Sequence, residues 1–281
     1  NLSTQYIFSN SVFYNCQNIS KLSNYNASTN KALMVNGFAS GCKNLITVEN
    51  FNLINIRHMG GMFYNCSNLK GFNNCHFEFV PNTVGYYSEN LGYATMAFAN
   101  CYNLTNVPDG IFNNLRIKDG TRMFENCHSL VFPNDLIIHS YNGYSSSYYG
   151  MFSGCSQIKS MNLAFSQFYQ PNVPMGSLFS NCANLQTVNI INATNINSMS
   201  EAFRNSSNLK SINFTNCIFR DNIGIWYSFS GTGITSINNI SGVNYSNKTN
   251  IEGAFCNCHN LKDIGNGELS FNKANVANYL F

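Results

Sequence analysis

Cysteine and histidine are the residue types in this chain with the most chemistry to offer. Cys75-His76, Cys127-His128 and Cys256-Asn257-Cys258-His259 put thiols next to imidazoles. Such neighbours can hold zinc or act as nucleophile and base. Their spacing argues against zinc, because none provides the paired C-x-x-C knuckles of a structural site. A thiol nucleophile would need Cys75, Cys217 or Cys256 in a polar cleft beside a histidine. The twelve carboxylates are scattered along the chain, and hydrolysis by paired acids would need two of them in one place. No G-x-S-x-G, phosphate-binding loop or H-E-x-x-H occurs. The sequence therefore offers no catalytic residue, no metal set and no cofactor motif, and a non-enzyme is expected.

The remaining eight cysteines obey a rule. Cys16, Cys42, Cys66, Cys101, Cys127, Cys155, Cys182 and Cys258 fall in one column of a repeat, where two further units carry Ser206 and Thr232. Serine and threonine keep the size but form no disulfide. The column thus wants a small side chain behind a turn, and free cysteine behaves as a small hydrophobe. Parallel stacked side chains also meet the disulfide dihedral poorly. A ladder of buried thiols is expected.

Stepping along the chain, strings such as MFYNCSNLKGF (62–72) return with an apolar residue, Phe, Asn or Gly, the Cys position and a second Asn. The anchoring rings are Phe13, Phe38, Phe63, Phe98, Phe124, Phe152, Phe179, Phe203, Phe229 and Phe255. Their spacings are 25, 25, 35, 26, 28, 27, 24, 26 and 26. The Phe38 unit reads as carrying one extra residue. The position before the Cys column is Asn15, Gly41, Asn65, Asn100, Asn126, Gly154, Asn181, Asn205, Gly231 or Asn257. Asn and Gly are the residues that most readily take a left-handed backbone, so a short helical stretch ending there is expected. After the turn, Val188 and Ile190, like Ile212 and Phe214, alternate with polar residues as a strand with one buried face does. The second Asn column (Asn44, Asn103, Asn184, Asn208 and others) is expected to bond loop amides of its own and the next coil.

A unit of this size cannot bury its own apolar face, but stacked units can. Residues 1–281 thus read as a single solenoid of about ten coils. A parallel strand ladder would form one side, and short helical turns and loops the other. At ~4.8 Å per strand that makes a rod roughly 50 Å long.

Charged residues are only 10% of the chain and the formal net charge is +3, with no basic run. That excludes the electrostatic footprint of a nucleic-acid binder. No stretch is long and apolar enough for a membrane span. Asn, Ser, Thr and Tyr must supply the surface that charges usually supply. Tyr279, Leu280 and Phe281 end the chain without a polar cap. Neighbouring domains or subunits at both ends of the solenoid are therefore expected.

The units differ most where they are longest. The 35-residue spacing carries Tyr86, Tyr87 and Tyr93, and the 28-residue spacing carries Tyr141, Tyr144, Tyr148 and Tyr149. The single Trp226 adjoins Tyr227. Insertions in a solenoid often map to its binding face, and Tyr among Ser, Gly and Asn suits adaptable recognition. These nine aromatics are the candidate binding residues, for a protein or a sugar; packing over the convex side is the alternative.

The F-x-N-C-x-N-L-x-x-apolar unit closely resembles the BspA-like, Treponema-type leucine-rich repeat and the related bacterial surface protein repeat of about 26 residues. The resemblance covers essentially the whole chain. It implies a leucine-rich-repeat solenoid with a role in adhesion or in binding a host protein or glycan at the cell surface. It carries no catalytic residues. The low acidic content and the Tyr-rich insertions depart from the usual pattern. The alternative expectation is a fibre, tail or capsid-decoration domain of a phage or virus, placed on the virion.

Overall fold

The computed structural model describes residues 6–27, 31–79, 92–113, 115–139, 146–166, 172–221, 223–243, 250–264 and 278–281. Its strands are β1 (Tyr6–Phe8), β2 (Lys21–Ala27), β3 (Ala32–Met34), β4 (Thr47–His58), β5 (Gly71–Asn73), β6 (His76–Phe79), β7 (Gly92–Tyr93) and β8 (Ile117–Asp119). Then come β9 (Asp135–Ile138), β10 (Ser160–Phe165), β11 (Val173–Pro174), β12 (Thr187–Ile191), β13 (Ile196–Ser198), β14 (Ser211–Thr215) and β15 (Ile240–Ser241). Every pairing among them is parallel, in two ladders. The long ladder follows each Cys turn, with β2 on β4, β4 on β5 and β6, and then β9–β10–β12–β14–β15. The short ladder leads into each turn. It runs β1–β3, the end of β4, β7 and β8, and later β11–β13.

Register follows hydrophobic alternation. Val188 pairs with Ile212 and Ile190 with Phe214, all pointing inward, while Thr187 and Asn189 face out. Among the described residues, eight of the ten units place a strand in the long ladder. The fourth and tenth contribute only isolated bridges, His76 to Asp109 and Leu115 to Ile138 for the fourth and Ser236 to Asp263 for the tenth. The regular solenoid is thus about eight turns rather than ten.

The corner between the ladders corrects one expectation. No α-helix lies before the Asn or Gly, among the described residues or anywhere else in them; the one helical element is a 3-10 turn at Ile237–Asn239. The Asn or Gly is left-handed in all ten units, as its residue type requires. But a second left-handed residue precedes it by four positions: Ser11, Gly37, Gly61, Met96, Arg122, Gly150, Ser177, Glu201, Tyr227 and Gly253. Backbone amides then alternate. Those of Ser177, Phe179 and Asn181 donate to Ser200, Ala202 and Arg204 of the next coil, and those of Leu178 and Ser180 fold back onto Met175 and Ser177. A helix would use every amide within its own coil. Here half of them tie coil to coil, so stacking replaces the helix.

The Phe38 unit holds no extra residue. Gly37 and Gly41 occupy the two left-handed positions as Ser11 and Asn15 do, so Ala39 falls in the aromatic column and Phe38 one place earlier. Phe38 meets Phe13 and Phe51 edge-on. From Phe63 onward the rings stack continuously through Phe281, with centroids 5.3–6.1 Å apart and planes within 4–18°. Offset stacking adds about 0.5–1.5 kcal/mol per pair beyond area burial. Tyr279 is left-handed and Phe281 sits two residues on, so the pattern starts again at the last residues.

The Cys column is buried from Cys42 onward, and all eleven cysteines are free. From Cys42 onward each column thiol donates to a carbonyl of the preceding coil, as Cys66 does to Ala39, Cys101 to Phe63, Cys127 to Phe98, Cys155 to Phe124 and Cys182 to Phe152, at 3.0–3.1 Å. Ser206 does the same to Phe179 at 2.7 Å. The column therefore selects a small hydrogen-bond donor, not merely a small plug. The second Asn column also bonds across coils, but as donor to carbonyls rather than as acceptor from amides: Asn44 to Gln17, Asn103 to Ser67, Asn184 to Ser156 and Asn208 to Ala183.

Candidate functional site

Two outward rows run along the short ladder, and backbone hydrogen bonds define both. One comprises Asn36, Gly60, Thr95, Thr121, Tyr149, Gly176, Ser200, Trp226 and Glu252, each offering its carbonyl to the amide that follows the previous member of the row. The other carries His58, Tyr93, Asp119 and Ser147, then Pro174 paired with Ser198. Tyr93, Tyr149 and Trp226 are separated by 56 and 77 residues of chain, yet they lie on this one face. Strand register brings them there.

Their settings differ. Tyr93 stacks on His58 at 4.5 Å with planes 2° apart, and Lys118 Nζ lies 5.5 Å from its ring. Burial, with Arg57 nearby, lowers the His58 pKa and favours the neutral imidazole. Tyr149 is 39% exposed. It has Arg122 at 5.9 Å on one side and lies against Gly176, where a Cβ would come within 2.7 Å of the ring. Trp226 is 38% exposed and meets Tyr227 edge-on at 5.5 Å. Tyr227 sits between the Arg204 guanidinium, at 5.1 Å, and Gly253. Arg204 also pairs with Glu201.

Tyr148 does not belong with them. It is fully buried, packs on Phe165 at 5.4 Å and fills the core, because outward and inward positions alternate and Tyr149 takes the outward one. Tyr86, Tyr87, Tyr141 and Tyr144 lie outside the described residues.

A cleft of about 490 Å³ brings Cys75 and His76 together with Asn50, Asn74 and Asp109. It is the arrangement in which a thiol nucleophile would sit. The thiol is nevertheless turned inward: it accepts from the Phe51 amide and donates to the Val48 and Asn73 carbonyls. Burial raises its pKa. His76 is exposed on the other side of the strand, with Nε2 3.8 Å from Glu78. The pair lacks the geometry of a thiolate and its base. His128 is likewise committed, its Nδ1 2.8 Å from the Gly154 carbonyl and its ring stacked on Tyr102. No group of three or more potential metal ligands occurs among the described residues.

A second hollow, of about 700 Å³, was not foreseen from sequence. It is lined by Asn197, Arg220, Asp221, Ile223 and Gly224. Arg220 Nη1 reaches back two coils to Asn172 Oδ1 at 3.1 Å. These residues occupy different positions of different units, so no repeat column marks them.

The model of the BspA type leucine rich repeat region matches residues 72–198 and 150–262, in six copies. The chain belongs to this BspA-type leucine-rich repeat family. Residues 4–95 also match a family described as a Mycoplasma protein of unknown function. Among solved structures, the chain is similar to a leucine-rich repeat protein from Bacteroides ovatus (17% identity, 92% of this chain and 76% of that one, TM-score 0.32). It is also similar to a leucine rich cell surface protein from Faecalibacterium prausnitzii (12%, 94% and 80%, TM-score 0.28). No curated protein matches. No helix among the described residues is long and apolar enough to cross a membrane.

Proposed function

We propose that this chain is a non-catalytic binding module displayed at a cell surface, where it recognises a protein or glycan on another surface. The observation that carries this reading is the common face of Tyr93, Tyr149 and Trp226, set among Gly, Ser and Thr. Rigid amphipathic rings on such a floor offer contact area at low entropic cost. Family membership supports a surface role, and one similar structure is itself described as a cell surface protein. The thiols and imidazoles engaged in holding coils together favour a scaffold over an enzyme.

Beads coated with the chain test this on host-cell monolayers and matrix-coated plates. Wild-type beads are expected to adhere, and a Tyr93→Ala, Tyr149→Ala, Trp226→Ser triple variant to lose most adherence while its circular dichroism is unchanged. Equal adherence of the folded variant, or none by the wild type, overturns the proposal.

A further inference from the structure

The hollow that Gly224 lines, two residues before Trp226, has a chemistry that narrows the ligand. Asn197, one of the residues that line it, has a buried Oδ1 with no hydrogen-bond partner among the described residues. An unmatched buried acceptor is costly, so it asks for a donor from outside. Carboxylate and sulfate groups carry no proton at neutral pH and cannot supply one. A hydroxyl can, and it can accept in turn from the Arg220 guanidinium and donate to Asp221, both of which line the same space. The opposite charges of Arg220 and Asp221 also leave the hollow without a net field for an anion.

The surroundings agree. Gly224 lines the hollow, and Trp226 stands two residues further along the same outward alternation. The neighbouring floor is Pro174, Gly176, Ser198 and Ser200, with no large side chain, and Tyr149 closes its far end. From Tyr149 to Trp226 is three coils, about 15 Å at the usual strand spacing. An extended peptide would seek unpaired main-chain groups. On this face the amides following Tyr149, Gly176, Ser200 and Trp226 are all spent on coil-to-coil bonds.

We infer that the hollow lined by Asn197, Arg220 and Asp221, with Trp226 as its stacking platform, is a subsite for a neutral oligosaccharide whose chain lies toward Tyr149. The inference rests on the binding-module reading above. A ring hydroxyl satisfies Asn197, another donates to the Asp221 carboxylate, and the apolar face of a sugar covers the indole.

Trp226 is the only tryptophan in the chain, so its emission reports on this site alone. Glucose, galactose, mannose and N-acetylglucosamine tetrasaccharides are titrated into the intact protein, alongside sialylated and sulfated ones. At least one neutral class is expected to give a saturable change in emission. Asn197→Ala and Asp221→Asn, each with unchanged thermal unfolding, should weaken it roughly tenfold. No saturable change with any neutral sugar, a response to the anionic sugars alone, or full binding by both folded variants overturns the inference. If adherence still depends on the three aromatics while neutral sugars fail, the binding module stands and the sugar subsite falls. If adherence does not depend on them, the broader reading falls separately.

Discussion

The Cys182 thiol donates to the Phe152 carbonyl 3.1 Å away in the preceding coil; Ser206 does the same with a hydroxyl, whereas Thr232 donates to Phe229 of its own coil. Replacement at this column should follow donor capacity. Cys182→Ser is expected to cost less than about 1 kcal/mol, because Ser206 already makes the same bond. Cys182→Ala should cost about 1–3 kcal/mol, through a lost donor and a small void. Urea midpoints measure both. Equal costs for Ser and Ala would mean that volume alone matters.

The left-handed columns predict opposite responses to glycine and alanine. Gly154 has φ of 73°, and a Cβ there would fall within 2.4 Å of Asn126 Oδ1. Gly154→Ala should destabilise by roughly 1–3 kcal/mol. Met96 has φ of 55°. Met96→Gly relieves that strain and should be neutral, or stabilising by up to about 1 kcal/mol, in the same urea series. A large loss at Met96 would show that its side-chain packing outweighs the backbone.

Thiol reactivity should divide the cysteines by burial. Burial pushes the Cys182 thiol up to about 12, and it raises Cys101 and Cys155 as well. Thiolate is the reacting form, so the column should resist iodoacetamide at pH 8 until the chain unfolds. The partly exposed Cys16 and Cys256 should be modified first. Peptide mapping by mass spectrometry reads the order. Fast alkylation of Cys155 in the native protein would contradict the stacked column.

Acid should weaken the fold before its carboxylates titrate. Burial first, and then Arg57 and Arg116, lower the pKa of His58 and His139. A histidine depressed in the folded state binds fewer protons than in the unfolded chain, so stability rises with pH across that window. The contribution is complete above the unfolded value of about 6.5 and is lost as pH falls below it toward the folded value. Thermal midpoints should therefore hold from pH 8 to 7 and decline from about pH 6.5 downward. The double variant His58→Gln, His139→Gln should flatten the decline. A midpoint independent of pH in that range would remove the argument.

The repeat made much of this molecule legible. Asn or Gly before each Cys foretold a left-handed residue, and all ten positions have one. Val188, Ile190, Ile212 and Phe214 alternate as their spacing requires. The absence of a helix was harder to read, because the first left-handed column mixes Gly37, Gly61, Gly150 and Gly253 with Met96, Arg122, Glu201 and Tyr227. Four glycines sharing that column were the available signal. The Tyr-rich stretches did not show which rings face out, since Tyr148 and Tyr149 are adjacent and only Tyr149 does.

What the sequence by itself determined is the coil: its length, its turn, its inward strand positions and its column of small donors. These are local requirements repeated along the chain, and period and residue type express them directly. Only the tertiary structure decided which outward residues of different coils become neighbours. Tyr149 and Trp226 came to share a row, and Asn197, Arg220 and Asp221 a hollow, through coil-to-coil hydrogen bonds. Outward positions bear no packing constraint that repeats from coil to coil, so the chain's periodicity carries no record of what they assemble.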